Sequence, residues 1–436
     1  MRNTLSRLST VLAALLCAAL GIIVPWAVLG ALVLLLAAWL AVSRTGRQTA
    51  SITRTGLATL PQRLGGASVV VVGIAGVVGV LVSLLAMGRG FESTLQGTGS
   101  NDTVIVLRSG SVSEVNSVLT PNDAALIGEP PQVSRDAQGR PLSSPELVVA
   151  ASLKKKSNGL DANVAVRGVG AEVWAVHPHV KIIAGRRFTP GLRELIVGKD
   201  AAREFAGTGV GSSIELNGQP WKVVGEFDSG DAHNSELWGD VDVLGPAFHR
   251  GSSFSSVTVR LVEPGQFDAF KAALAGNPSL KVEAHTTRAY YDRQAGGLTR
   301  LIRILGTIVA SIMAIGAVSG ALNSMYAAVS ARTREIATLR AIGFRGGPVV
   351  VSVMLETMLL ALVGGALGAA LAWALFDNYT ASTLGGNFSE VVFQFRVTPG
   401  LLASSLRWAL VIGLLGGLFP ALRAARMPVT DGLREL

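Results

Sequence analysis

Cysteine is all but missing from this chain. The single one, Cys17, lies inside an apolar run, so no disulfide can close within the chain and every folded part must rest on its core. Charge is scarce as well. Only 15% of the 436 residues are charged, against about 25% in an ordinary soluble domain. No G-x-x-x-x-G-K-[ST] occurs; Gly198-Lys199 is followed by Asp200 and lacks the upstream glycine. The chain therefore has no phosphate-cradling loop, and any ATP-driven work needs another polypeptide. H-E-x-x-H and G-x-S-x-G are absent too, so no catalytic residue is assigned and no enzyme activity is expected. No cluster of aromatic and basic residues offers a stacking platform for bases, which sets nucleic acid aside as a partner.

Histidine is sparse, with five in the chain. His177-Pro178-His179 is the one close pair. A metal centre needs more ligands than that and no cysteine is at hand, so the pair reads as a strand-edge turn and no metal site is expected. His233, Glu236 and Asp240 read as a solvated polar loop.

What the chain has is apolar length. Hydrophobic residues make up 49% of it, and the formal charge is +9. Residues 90–302 hold 21 Lys/Arg against 23 Asp/Glu, a local charge of −2. The surplus of positive charge thus flanks the apolar runs, which is the positive-inside pattern. Val11 to Val42 is apolar and would extend about 48 Å as one helix, more than the roughly 30 Å of a bilayer core. Pro25-Trp26 divides it. It reads as a hairpin whose ends, marked by Arg2, Arg7, Arg44 and Arg47, stay inside; one tilted span is the rival reading. Ser43 to Gly66 is a basic linker leading into an interfacial helix.

Four core spans follow: Ala67 to Met87, Ile304 to Tyr326, Val349 to Leu375, and Leu401 to Leu418, the last ended by Pro420. Small-residue pairs suited to close helix packing occur in two of them, Gly316 with Gly320 and Gly364 with Gly368. Gly73, Gly76 and Gly79 form a similar stripe in the first. Glu356 is the one acid inside a span, a position at which ionisable groups are costly. It reads as a structural or coupling residue, with pairing to an arginine of the preceding loop as one option.

Between the first two spans the composition changes. Short β-branched runs appear at Thr103–Arg108, Leu147–Leu153, Asn163–Val169, Val180–Ala184, Glu194–Val197, Asp240–Leu244 and Ser256–Leu261. Ser213–Leu216 and Trp221–Val224 flank Asn217-Gly218, a strong hairpin signal. Asp200–Phe205 and Gln266–Ala275 read as helices. This is an α+β domain large enough for its own core. The fold class is therefore an α-helical membrane protein with an inserted extracytoplasmic α+β domain. Its parts are 1–54 (hydrophobic hairpin or single span, and linker), 55–89 (interfacial helix and first core span), 90–300 (outer domain with stalks) and 301–436 (three further spans). Asp377 to Gly400 reads as a short outer loop.

Between the second and third core spans lies a short basic stretch, 330–346, that reads as a helix in a tight cytoplasmic loop. Arg332, Arg334, Arg340 and Arg345 face a single Glu335. Ile336, Leu339, Ile342 and Phe344 add an apolar stripe, and Gly343 marks a C-terminal stop. The bland reading is a solvated loop. The sharper one is a helix that docks in a partner's groove.

Ser330-Ala-Arg-Thr-Arg-Glu-Ile-Ala-Thr-Leu-Arg-Ala-Ile-Gly343, a span opening with Glu356, Gly364-Gly-Ala-Leu-Gly368 and the closing Pro420-Ala-Leu-Arg-Ala-Ala-Arg-Met-Pro428 resemble the FtsX/MacB-type permease family of ABC transporters. The outer domain resembles that family around Val164-Ala-Val-Arg-Gly168, Ile183-Ala-Gly-Arg-Arg-Phe188 and Val223-Val-Gly225. The resemblance implies a permease in the bacterial cytoplasmic membrane, with its large domain in the periplasm or outside. It implies a cytoplasmic ABC ATPase dimer and a second permease copy or paralogue as partners, with a periplasmic adaptor as a further one. Arg332, Arg334, Glu335, Ile336, Leu339, Arg340, Gly343 and Phe344 would then receive the ATPase stroke. No cofactor is expected in this chain; ATP and Mg²⁺ belong to the partner ATPase. The implied activity is mechanotransmission that serves export or extraction of a substrate. The alternative is ATPase-driven control of a periplasmic partner such as a cell-wall hydrolase. The family's larger members carry the ATPase in the same chain, and the run Val11 to Val42 is additional to the usual four spans.

Overall fold

Long apolar runs with few charges leave the backbone one economical choice, since a helix satisfies its own N–H and C=O groups. The computed structural model of the chain describes residues 25–429. Four of its helices are long and apolar enough to cross a membrane: Leu60–Thr98 (with a 3₁₀ turn at its start), Thr287–Ser330, Gly346–Phe376 and Pro399–Arg426. Ahead of them, Trp26–Val42 and Arg44–Ala58 form a pair bent by 97°, which raises the number to as many as five if the pair is one span. Ser43 makes the bend. Its backbone is extended, and its hydroxyl accepts from Gly46 N at 2.8 Å, capping the second helix. The first arm of the expected hairpin, with Arg2, Arg7 and Cys17, lies outside the described residues.

Backbone contacts divide the chain into two units. The first holds residues up to Met87, Ile302–Asn378 and the part from Arg396 on. Its core joins Val70, Ile74, Val77 and Val78 to Ala361, Ala369, Ala409 and Ile412. The last helix does not stop at Pro420 but runs to Arg426. Ala421 and Ala424 are fully buried against Met325, Val329, Ile336 and Val349. That packing outweighs the one backbone hydrogen bond proline removes.

The second unit spans Gly88–Leu301 and Tyr379–Phe395. Its strands are β1 (Thr103–Arg108), β2 (Ser143–Lys154), β3 (Asp161–Val169), β4 (Lys181–Gly185), β5 (Glu194–Gly198), β6 (Ser213–Leu216), β7 (Gln219–Asp228), β8 (Glu236–Asp240), β9 (Ser256–Arg260) and β10 (Val282–Thr286). They form one sheet in the order β10-β1-β9-β2-β3-β8-β5-β7-β4, with β6 paired to β7. The β3–β8 and β5–β7 pairs are parallel, and the others antiparallel. Asn217 and Gly218 both take positive φ in the turn joining β6 and β7. Phe205, Trp221, Leu237 and Leu244 fill one side of the core; Phe270, Leu119 and Ile127 fill another.

Two expectations fail in this unit. The strand expected at Asp240–Leu244 is instead the end of β8 followed by a helix, Val241–Ala247. The Asp240 side chain accepts from Asp242 N at 3.1 Å and turns the chain into that helix. The outer loop expected at Asp377–Gly400 contains a hairpin, β11 (Thr380–Leu384) with β12 (Glu390–Gln394). The hairpin belongs to the sheet-bearing unit: Val392 N donates to Ser235 Oγ at 2.9 Å, and Lys155 bridges Glu204 and Glu390 at 2.8 Å each.

Candidate functional site

Two charged centres stand out, one in each unit. The first is built around the short basic stretch. Its helix is Thr333–Ala341, two residues beyond the end of Thr287–Ser330. Gly343 has φ of 103°. Gly343 N donates to Arg340 O and Phe344 N to Leu339 O, both at 3.1 Å, the paired bonds of a glycine-ended helix. A side chain at Gly343 would strain that left-handed backbone.

The expected apolar stripe is divided. Ile336 and Ala337 are buried and Leu339 and Phe344 are half-buried, but Ile342 is 68% exposed. Ile336 packs on Met325, Val329 and Val349 of its own unit, so it anchors the helix. Arg334, Glu335, Thr338 and Ile342 form the exposed side. Arg340 does not belong to it: its guanidinium donates to Met427 O.

Arg332 turns the other way. Its Nη1 donates to Glu356 Oε2 at 3.1 Å, and its Nη2 donates to Gly56 O at 2.6 Å and to Thr59 Oγ1. Glu356 is buried, with 5% of its side chain exposed, and its other oxygen lies 3.5 Å from Arg63 Nη2. One acid therefore joins three segments: the helix Arg44–Ala58 and the turn after it, the basic stretch, and the span Gly346–Phe376. Arg63 was legible only as one more basic flank of an apolar run. A lone buried acid in a span is the signal that a second cation had to be found.

The packing glycines sort into two groups. A Cβ at Gly364 would meet Val71 O at 2.6 Å, and one at Gly368 would meet Ala75 Cα at 2.8 Å, so both let Gly346–Phe376 lie against Leu64–Thr98. Gly316 has nothing within 4 Å, and Gly320 has only Val69 at 3.8 Å. The pair therefore makes no close helix crossing among the described residues. Gly413, Gly416 and Gly417 do, against Ala361, Ala321 and Thr357 at 2.5–2.7 Å, and the sequence reading passed over them.

The second centre is in the sheet-bearing unit. Arg167, in the apolar run Val164–Val169 of β3, is 2% exposed. Its five N–H groups are all used. Nε and Nη2 hold Glu236 in a two-bond fork at 2.7 and 2.8 Å; Nη1 reaches Glu146 at 2.7 Å and Glu114 at 2.8 Å; Nη2 also reaches Glu114 at 3.3 Å. Trp238 Nε1 and Ser256 Oγ donate second bonds to oxygens Arg167 already holds, Glu236 Oε2 at 2.8 Å and Glu114 Oε1 at 2.9 Å. Burial alone would raise the Glu146 carboxyl, but Arg167 and His177 outweigh it and hold it down at about 2. Burial would lower Arg167, yet Glu114 and Glu236 raise it well above its ordinary value.

A cavity of about 170 Å³ adjoins this centre, lined in part by Glu146, His177, His179, His233 and Tyr291. Burial lowers His177. Burial would lower His233 too, but Asp231 and Glu236 raise it to about 9. Among the described residues, one group has the spacing of metal ligands: His179, Asp231 and His233. The loop read from sequence as solvated is therefore buried: His233, Glu236 and Asp240 are 2%, 8% and 6% exposed. A charged residue inside a β-branched run, as in Val164-Ala-Val-Arg167, is the sequence sign that partners must surround it.

Two family models match along the chain. Residues 67–276 match the model of the MacB-like periplasmic core domain, and residues 307–429 that of the FtsX-like permease C-terminal. An uncharacterized ABC transporter permease, YknZ, of Bacillus subtilis is 27% identical over 387 residues, covering 82% of this chain and 92% of the relative. The macrolide export ATP-binding/permease protein MacB of Chromobacterium violaceum is 28% identical over 402 residues, covering 84% of this chain but only 57% of the relative. The solved extracellular domain of YknZ from Gram-positive bacteria aligns with 42% of this chain and 99% of its own length, at 18% identity and a TM-score of 0.33. The chain belongs to the FtsX/MacB-type family of ABC transporter permeases.

Proposed function

We propose that this permease receives the stroke of a separate cytoplasmic ATPase on the exposed side of Thr333–Ala341 and passes it into its spans through Arg332 and Glu356. The supporting observation is the three-way junction at Glu356. A helix anchored by Ile336, closed at Gly343 and tied by Arg332 moves with its neighbours rather than alone. Arg334, Glu335 and Ile342 are left to meet the partner. The partner carries ATP and Mg²⁺; this chain holds no cofactor. The spans pass the motion to the sheet-bearing unit, which lies outside the inner membrane and acts on an exported or extracted substrate. Two permease chains, copies or paralogues, sit on one ATPase dimer, and an adaptor engages the outer unit. Residues 11–42 add a hydrophobic hairpin to this core. Macrolide export, the activity in the Chromobacterium relative's name, is one instance of such work.

The reading is tested by cross-linking. Cys17→Ser removes the native thiol, and Ile342→Cys places one at the contact. A bifunctional reagent should join Ile342→Cys to the co-purifying ATPase, with a yield that changes on adding ATP. Absence of any ATPase adduct at this position would contradict the assignment of the contact surface.

A further inference from the structure

The polar loop after β7 and the turn before β4 meet in the sheet-bearing unit, and no step proposed above uses them. His179 lies between the helical turn Val173–Val176 and β4. Asp231 and His233 lie in and beside the 3₁₀ turn Ala232–Ser235. His179 Nε2 is 3.1 Å from Asp231 Oδ2, and His233 Nδ1 is 3.0 Å from Asp231 Oδ1. One ligand atom from each of the three residues lies within 4.8 Å of the others. A tetrahedral zinc ion with bonds of about 2.0–2.1 Å sets its ligand atoms roughly 3.3 Å apart. Each imidazole thus stands near the required edge distance from one Asp231 oxygen, His179 from Oδ2 and His233 from Oδ1. The His179 side chain, 45% exposed, is the least confined of the three ligands.

We propose that His179, Asp231 and His233 form a binding site for one divalent transition cation of the zinc class. Two further observations favour it. The donor set is two imidazoles and one carboxylate, which suits zinc-like ions and not the oxygen-seeking Mg²⁺ or Ca²⁺. The ligands also already have outer partners, as metal sites require. Ser229 Oγ donates to Asp231 Oδ1 at 2.7 Å, and His233 Nε2 faces Tyr291 OH at 3.5 Å.

Three protein ligands leave a coordination position open, and the cavity shared by His177, His179 and His233 adjoins it. The site is also tied to structure beyond its loop. Ala232 N donates to Thr98 Oγ1 at 3.0 Å, at the end of Leu64–Thr98, and Tyr291 belongs to the first turns of Thr287–Ser330. Occupancy would therefore fix the loop against the ends of both helices.

The test uses the full chain in lipid nanodiscs, with any affinity tag removed, stripped with a chelator and dialysed. Zinc is titrated against a competing chromophoric chelator, and the stoichiometry is checked by elemental analysis. One zinc per chain is expected. X-ray absorption should show nitrogen and oxygen neighbours at about 2.0–2.1 Å. His179→Gln and His233→Gln should each weaken binding more than about 100-fold, and Ser229→Ala, an outer partner, by about 10-fold. His249→Asn, away from the site, should change nothing. His179→Gln keeps the test valid even if the buried His233→Gln variant misfolds, because His179 is half-exposed. Failure of the stripped wild-type chain to take up stoichiometric zinc overturns the proposal, as does unchanged zinc affinity in His179→Gln.

Discussion

Replacing Arg332 by methionine removes the guanidinium that Glu356 faces at 3.1 Å and leaves that buried carboxylate only Arg63, at 3.5 Å. Removing one partner of a buried ion pair costs about 3–5 kcal/mol, mostly because the other charge stays buried. The surviving Arg63 places this case near the lower end, about 3 kcal/mol. Replacing both charges with apolar side chains is often close to neutral. Arg332→Met/Glu356→Met should therefore cost less than Arg332→Met alone, with the residual loss coming from the bonds to Gly56 and Thr59 and from Arg63, which loses Glu356. For a unit of this size 1 kcal/mol moves the unfolding midpoint by roughly 2–4 °C. Arg332→Met should lower the midpoint by roughly 6–12 °C, and the double variant should regain most of that. Thermal unfolding of the detergent-purified chain measures both. If the losses of the two single variants simply add in the double variant, Arg332 and Glu356 are not energetically joined, and the junction carries no coupling.

Further expectations concern the rest of the molecule. Arg167→Met strands Glu114, Glu146 and Glu236 together and should destabilise the sheet-bearing unit by about 3–5 kcal/mol; unchanged protease resistance of that unit would show the cluster to be dispensable. Glu146 and Glu194 are both held at about 2, below their ordinary 4.5. For Glu194 the Arg186 hydrogen bond is the largest cause. Their folded-state values are depressed, so their stabilisation is complete above pH 4.5 and is lost as pH falls from there toward 2. Hydrogen exchange in β2 and β5 should accelerate across that window, and a flat profile would contradict the assignment. Gly368→Val drives a side chain into Ala75 and should cost about 1–3 kcal/mol, while Gly316→Ala, with open space around it, should leave the midpoint where it is.

Most of the architecture was legible in the sequence because its signals are local. Apolar length gave the four spans, and alternating or β-branched runs gave β1 to β7 and β9. Asn217-Gly218 gave the tight turn, since few other pairs accept positive φ twice. What stayed hidden depends on long-range contact. The hairpin β11–β12 has short strands and takes its place from Ser235 and Lys155, more than 140 residues away. Pro420 looked like a helix end because the packing of Ala421 and Ala424 cannot be read from neighbours in sequence. Gly316 and Gly364 carry the same spacing motif, yet among the described residues Gly364 meets another helix closely and Gly316 does not. The same limit applies to charge. Pairing with a loop arginine was one option for Glu356, but Arg63 and Arg332 could be chosen only once the fold had placed them. His177-Pro178-His179 gave no hint of Asp231 and His233, which the fold brings beside His179 from some fifty residues on.

The central claim is that the exposed side of Thr333–Ala341 receives the ATPase stroke, and Arg334 tests it most directly. Arg334 is exposed and has no buried partner among the described residues, unlike Arg332 with Glu356 or Arg340 with Met427. The permease is reconstituted with its co-purified ATPase in nanodiscs, and ATP turnover is compared with that of the ATPase alone. Arg334→Glu should abolish the permease-dependent stimulation while the unfolding midpoint of the permease stays at the wild-type value. Full stimulation in Arg334→Glu, at normal assembly with the ATPase, would contradict the account.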